Sequence, residues 1–94
     1  MIDYVYQPKP TSLFKKDLKI VKKRGYDISL LETVIEMLAN DEVLDVKYLD
    51  HPLSGQYGGC RECHITPDWL LIYKKSDNTL FLYLTRTGTH SDLF

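Results

Sequence analysis

All three histidines of this 94-residue chain lie in its C-terminal half, and each adjoins a turn or the end of a β-rich stretch. They are His51, His64 and His90, with Arg61, Asp68, Trp69 and Arg86 between them. A lone histidine is more often a surface or core residue than a catalyst. Three of them, with two arginines inside 40 residues, form a candidate set. The chemistry such a set suits is cleavage of RNA by in-line transfer. A base takes the proton of the ribose 2′-hydroxyl, which attacks the adjacent phosphate, and an acid protonates the leaving 5′-oxygen. Imidazole suits both roles because its unperturbed pKa of about 6.5 lies near working pH. The arginine fork stays charged and matches two phosphate oxygens, so it can hold the negative charge that grows in the transition state. Trp and Phe can stack on an unpaired base.

Cys60-Arg61-Glu62-Cys63-His64 matches the C-x-x-C-H pattern of covalent haem attachment. Three features argue against haem. No export signal precedes the pattern, Met1 and Met37 are poorly placed as axial ligands, and a strand over 60–66 sends Cys60 and Cys63 to opposite faces. The same alternation weakens a zinc or redox reading, which wants both thiols on one turn. Two reduced cysteines, no metal and no cofactor are the expectation.

The elements that must position these residues are readable from periodicity. Residues 3–6 predict a short strand that ends at Pro8 and Pro10. A helix begins near Thr11 or Ser12, with Leu13, Phe14, Leu18 and Val21 as its apolar stripe and Gly25 at its C-cap. A second helix starts at Asp27 or Ser29, where Ser29 and Glu32 have the form of a capping box. It buries Leu31, Val34, Ile35 and Leu38 and ends at Asn40-Asp41. Strands are expected at 46–49, 60–66, 69–75 and 79–85, the last three joined by turns at Pro67-Asp68 and Ser76-Asp77-Asn78. The resulting order, β-α-α-β-β-β-β, predicts an α+β fold with a helical pair packed on one face of a twisted antiparallel sheet.

At 94 residues the chain has room for one domain, 1–94, and one core. No signal-peptide pattern and no membrane-length apolar run is present, so a soluble, cytoplasmic protein is expected. The net charge of −1 offers no global attraction to nucleic acid, but its distribution is uneven. Residues 1–24 carry seven Lys/Arg against two Asp, whereas residues 25–50 carry one Lys against seven Asp/Glu. These segments are either complementary faces of the helical hairpin or a local RNA-attracting patch beside a repelling one.

Four runs of residues go further than composition: His51-Pro52-Leu53-Ser54-Gly55, Gly59-Cys60-Arg61-Glu62-Cys63-His64-Ile65, Pro67-Asp68-Trp69-Leu70-Leu71-Ile72-Tyr73 and Arg86-Thr87-Gly88-Thr89-His90. With the closing Asp92-Leu93-Phe94, they resemble the YafQ-type toxins of the RelE superfamily over nearly the whole chain. The resemblance implies a RelE-like fold and a ribosome-associated, metal-independent endoribonuclease that cleaves messenger RNA and is held inactive by a cognate antitoxin. It also implies roles for particular residues. His51 and His64 share acid/base and phosphate-contact duties, and Asp68 acts with them as a proton acceptor or orients an imidazole. His90 is the first choice for general acid or base, and Arg86 stabilises the phosphoryl charge. Phe94 and Trp69 bound the nucleotide pocket, and Arg61 is a candidate phosphate contact. Trp69 is also readable as core, and Asp68 as a turn residue.

One departure from that family is plain: its members are often clearly basic, whereas this chain is near neutral. Approach to RNA would then depend on a local surface, the lysines of the first helix or Lys74-Lys75. The alternative function is a non-nucleolytic toxin of the same fold that binds a topoisomerase. Such a module needs no His/Arg cluster, which counts against it here.

Overall fold

The computed structural model describes residues 4–94. The first strand, β1 (Gln7–Pro10), begins later than the expected 3–6; residues 4–6 carry no strand, and Asp3 lies outside the described residues. The prolines explain the shift. The Gln7 amide donates to the Leu80 carbonyl at 2.8 Å and the Thr11 amide to the Leu84 carbonyl at 3.0 Å. Alternation then turns the nitrogens of Pro8 and Pro10 outward, where an edge strand needs no donor.

Helix α1 (Ser12–Lys23) is capped by the Thr11 hydroxyl, which accepts from the Phe14 amide. Gly25 follows in the left-handed conformation at φ 82°. Helix α2 (Ile28–Ala39) is capped by the Asp27 carboxylate, which accepts from the Ser29 amide. The Ser29–Glu32 box does not form, because the Ser29 hydroxyl donates to Asp27 at 2.6 Å instead. The expected strand at 46–49 is a single 3₁₀ turn, Val46–Tyr48, closed by Leu49 at φ 50°.

Strands β2 (His51–Pro52), β3 (Arg61–Thr66), β4 (Trp69–Ser76) and β5 (Phe81–Gly88) follow, with a second 3₁₀ turn (Gly55–Tyr57) between β2 and β3. A last short helix, α3 (His90–Leu93), follows β5. The five-stranded sheet has the order β1-β5-β4-β3-β2. It is antiparallel except that β1 joins β5 in parallel.

Central β4 is covered on both faces, which accounts for its unbroken apolar run Trp69–Tyr73. On one face, Cys63, Trp69, Leu71, Tyr73, Leu82 and Leu84 pack against Phe14, Val21, Leu31, Val34 and Leu38 of the helical pair. On the other, Leu70, Ile72 and Leu93 form a smaller cluster with Leu53, Tyr57 and Cys60. The two cysteines thus belong to different clusters on opposite faces, and both are free thiols. Among the described residues no helix is long and apolar enough to cross a membrane.

Candidate active site

The sheet register gathers the candidate residues on the face away from the helical pair. His51 pairs with Glu62, Glu62 with Ile72, and Ile72 with Arg86, so one row runs across four strands. A second row places His64 opposite Leu70 and Leu70 opposite Gly88. Side chains that face each other in such pairs share one side of the sheet.

Arg86 reaches this face because of a bulge. Leu82 and Leu84 point into the helix-side core, and strict alternation would send residue 86 after them. The register shifts between Ile72 and Tyr73, leaving Thr85 as an extra residue on β5. Alternation is reset there, so Arg86 joins Ile72 on the site face and Thr87 turns into the core. The Thr85 carbonyl does not go to waste, accepting from the Thr11 hydroxyl at 2.8 Å.

Asp17 of α1 fixes the guanidinium from behind, accepting from Arg86 Nε at 2.7 Å and Nη2 at 3.0 Å. It also accepts from the Thr87 amide, at 3.2 Å. The Asp17 hydrogen bonds hold Arg86 above the ordinary arginine range, so it stays charged throughout the working pH range. Its Nη1 points the other way, 3.3 Å from the Tyr57 hydroxyl.

His51 is held at both ring nitrogens. Nδ1–H donates to the Leu49 carbonyl at 2.6 Å, and Nε2 lies 3.2 Å from Oε2 of Glu62. With Nδ1 already a donor, the second contact is a hydrogen bond when one proton lies between imidazole and carboxylate. Glu62 is buried while His51 is exposed, so the carboxylate acts as an anchor beneath an accessible ring. The His64 ring stands 6.3 Å from that of His51, and its Nδ1 is 3.2 Å from the Pro67 carbonyl.

The third group is carried by α3. Thr89 and Asp92 form a reciprocal capping box at its start. The His90 ring stacks on Phe94 with centroids 4.9 Å apart, and Phe94 meets the edge of Tyr57 at 5.6 Å. Tyr57 therefore links this stack to Arg86. Asp68, exposed in the turn between β3 and β4, lies 3.5 Å from the His90 amide through its Oδ1.

Two expected site residues are not brought to this face. Trp69 is only 2% exposed, stands edge-on to Tyr26, and donates its indole N–H to the Thr87 hydroxyl at 2.9 Å. As the first residue of β4 it takes the core side of the strand, among the residues that meet the helical pair. Arg61 shares the helix side with Cys63 by alternation and pairs with Asp50 at 3.3 Å. Three contributors were not expected from sequence: Glu62, Tyr57 and Asp17. Glu62 was detectable, since alternation puts it on the same face as His64. Asp17 had a weaker signal, as an acid interrupting the apolar stripe between Phe14 and Val21. Tyr57 had none.

Among the described residues no three His, Cys, Asp or Glu side chains converge to hold a metal ion. What the face presents is imidazoles, a fixed guanidinium and an exposed aromatic stack, a set suited to proton transfer beside an anionic, base-bearing ligand.

The family model for the bacterial toxin of type II toxin–antitoxin systems, YafQ, matches residues 6–94. The mRNA interferase toxin YafQ of Escherichia coli K12 is 43% identical over 82 residues, covering 86% of this chain and 87% of that protein. A crystal structure of a metal-bound toxin from Helicobacter pylori superposes with a TM-score of 0.89 at 44% identity, over 95% of this chain and 99% of that one. YafQ in the E. coli DinJ–YafQ complex gives 0.86 at 39% identity, over 95% and 98%. The chain belongs to the YafQ family of bacterial type II toxins.

Proposed function

We propose that this chain is an endoribonuclease that cleaves messenger RNA on the ribosome in the bacterial cytoplasm and is neutralised by a cognate antitoxin protein. The observation that carries the reading is the row His51–Glu62–Ile72–Arg86, flanked by His64 and by the His90–Phe94 stack. It provides acid, base and cation on one accessible face. The E. coli relatives, described as an mRNA interferase and as a partner of DinJ, support the same reading.

A phosphate seated between His51 and Arg86, outside the cluster that covers Ile72, lies between the two ends of the row. Arg86, already aimed by Asp17 and Tyr57, takes the charge that develops on the phosphoryl oxygens. His90 is the general acid or base on one side, with Asp68 close to its backbone. His51 and His64 share the complementary proton transfer and the phosphate contacts on the other side. The exposed Phe94 receives a base by stacking. Imidazoles and arginine thus cover all three roles.

The test is controlled induction of the wild-type chain and of His90→Ala in bacteria, with new 5′ ends mapped on cellular messenger RNAs. Growth arrest with discrete cuts is expected for the wild type. His90→Ala should reduce cleavage about a hundred- to ten-thousandfold. The purified wild-type protein should retain its activity in the presence of a chelator. Arrest without cuts would overturn the nuclease reading in favour of a binding toxin.

A further inference from the structure

Strand β2 covers only Arg61 and Glu62 of β3, so from Cys63 onward β3 has an open outer edge. A cavity of about 480 Å³ opens along that edge, walled by Leu30, Lys47, Tyr48 and Leu49 on one side and by His64 and Pro67 on the other. Its size is that of an ordinary small-ligand pocket. Its walls are mostly apolar, and Leu30 and Leu49 remain 43% and 58% exposed. Tyr48 offers an aromatic wall, with the Lys47 ammonium 5.2 Å from its ring centroid. Among the described residues no acidic side chain lines the cavity.

The other large cavity, at the end of α2, differs in chemistry. Asp41, Glu42, Asp45 and Asp50 line it together with Arg61, Lys74 and Lys75. The Arg61–Asp50 and Lys75–Asp41 pairs close at 3.3 and 2.9 Å, so its charges are largely spent on one another. Only the cavity beside His64 is lined by one of the candidate histidines. Its connection to the active site is direct. His64 belongs to both, and Leu49 holds the left-handed conformation at φ 50° while its carbonyl anchors His51. Non-glycine residues in that conformation concentrate at functional sites.

We infer that this cavity is a nucleobase subsite, receiving the base of an RNA nucleotide next to the scissile phosphate and setting the sequence preference of cleavage. The inference rests on the nuclease reading above. A base leaving the stack beside His64 lies against Tyr48 and between Leu30 and Pro67. Its hydrogen-bonding edge meets the open backbone edge of β3, and Lys47 neutralises the neighbouring phosphate. Stacking supplies affinity, and the backbone groups of the strand supply discrimination.

The test compares the full-length wild type with Tyr48→Ala, Tyr48→Phe, Leu30→Glu and Leu30→Gln. Each is separated from its antitoxin and refolded, and cut sites are mapped on a randomised RNA oligonucleotide pool and on a ribosome-bound message. Tyr48→Ala should flatten the base preference at one position flanking the cut and lower kcat/KM for the preferred sequence about tenfold, with Tyr48→Phe close to wild type. Leu30→Glu, on an exposed wall, should raise KM while Leu30→Gln does not, which separates an RNA contact from a folding defect. Wild-type cut patterns and KM in both Tyr48→Ala and Leu30→Glu overturn the inference and leave the nuclease reading standing. The same holds if those variants change only the affinity for antitoxin, since the cavity is then a protein-docking site. If the wild type itself cuts neither substrate, both readings fall together.

Discussion

Trp69 shows how one residue type admits two roles that only its surroundings separate. Its indole is enclosed by Tyr26 and tied to the Thr87 hydroxyl, whereas Phe94, the other expected stacking residue, is 54% exposed. Trp69→Ala should therefore lower stability by about 3–5 kcal/mol, read by chemical denaturation. Trp69→Phe should recover much of that and cut RNA with a KM near wild type, whereas a substrate-stacking Trp would show the loss in KM. Burial likewise separates the two cysteines. The Cys63 thiol is pushed up to about 12, chiefly by burial and further by the charges of Asp50 and Glu62. Cys60 is only partly buried. Iodoacetamide at neutral pH should label Cys60 in the native protein and reach Cys63 only on unfolding, as read by mass spectrometry of the digested chain.

At the scale of elements, α3 is too short to hold its own shape, and its position comes from three attachments. Leu93 is buried in the smaller cluster, Asp92 closes the capping box with Thr89, and Arg24 at the end of α1 grips Asp92 at 2.6 and 3.0 Å. Gly88 makes this possible: a Cβ there would stand 2.9 Å from Asp92 Oδ2. The Arg24 hydrogen bond, followed by the Thr89 amide, holds the Asp92 carboxyl well below the usual carboxylate range. A carboxyl with a depressed folded pKa stabilises fully above its unfolded value, about 3.9, and that contribution is lost as pH falls through this value and below. Thermal melting followed between about pH 5 and pH 2 should show a shallower acid loss in Arg24→Gln than in wild type. At neutral pH the same variant should lose more RNA cleavage than stability, because α3 carries His90 and Phe94 while the pair itself is solvent-screened.

On the whole molecule, charge is sorted by surface and not by total. Lys15, Lys16, Lys19, Lys22 and Lys23 are all exposed on α1, and the carboxylates of the α2–β2 connection line a separate cavity. A net charge of −1 is thus compatible with a local approach to RNA. Replacing Lys15, Lys16 and Lys19 with Gln should weaken sedimentation with ribosomes and flatten its dependence on salt. Unchanged binding would remove α1 from the approach surface and leave Lys74-Lys75 and Lys47.

The helical pair was legible in the chain because each helix buries a stripe at its own period and carries its own cap. The three long strands were legible from apolar runs between turn residues, and the candidate histidines, Asp68, Arg86 and Phe94 from their types and motif runs. These are local signals, needing only neighbours within a few positions. The parallel docking of β1 and the ordering of α3 depend on partners about 70 positions away, Leu84 for Thr11 and Arg24 for Asp92. The same holds for the residues that aim the chemistry. A strand pattern can state which face a side chain takes only until a bulge resets it, and the bulge at Thr85 is set by pairing with β4, not by local propensity. For that reason the chain by itself named Arg86, and only the tertiary structure put it beside Tyr57 with Asp17 behind it.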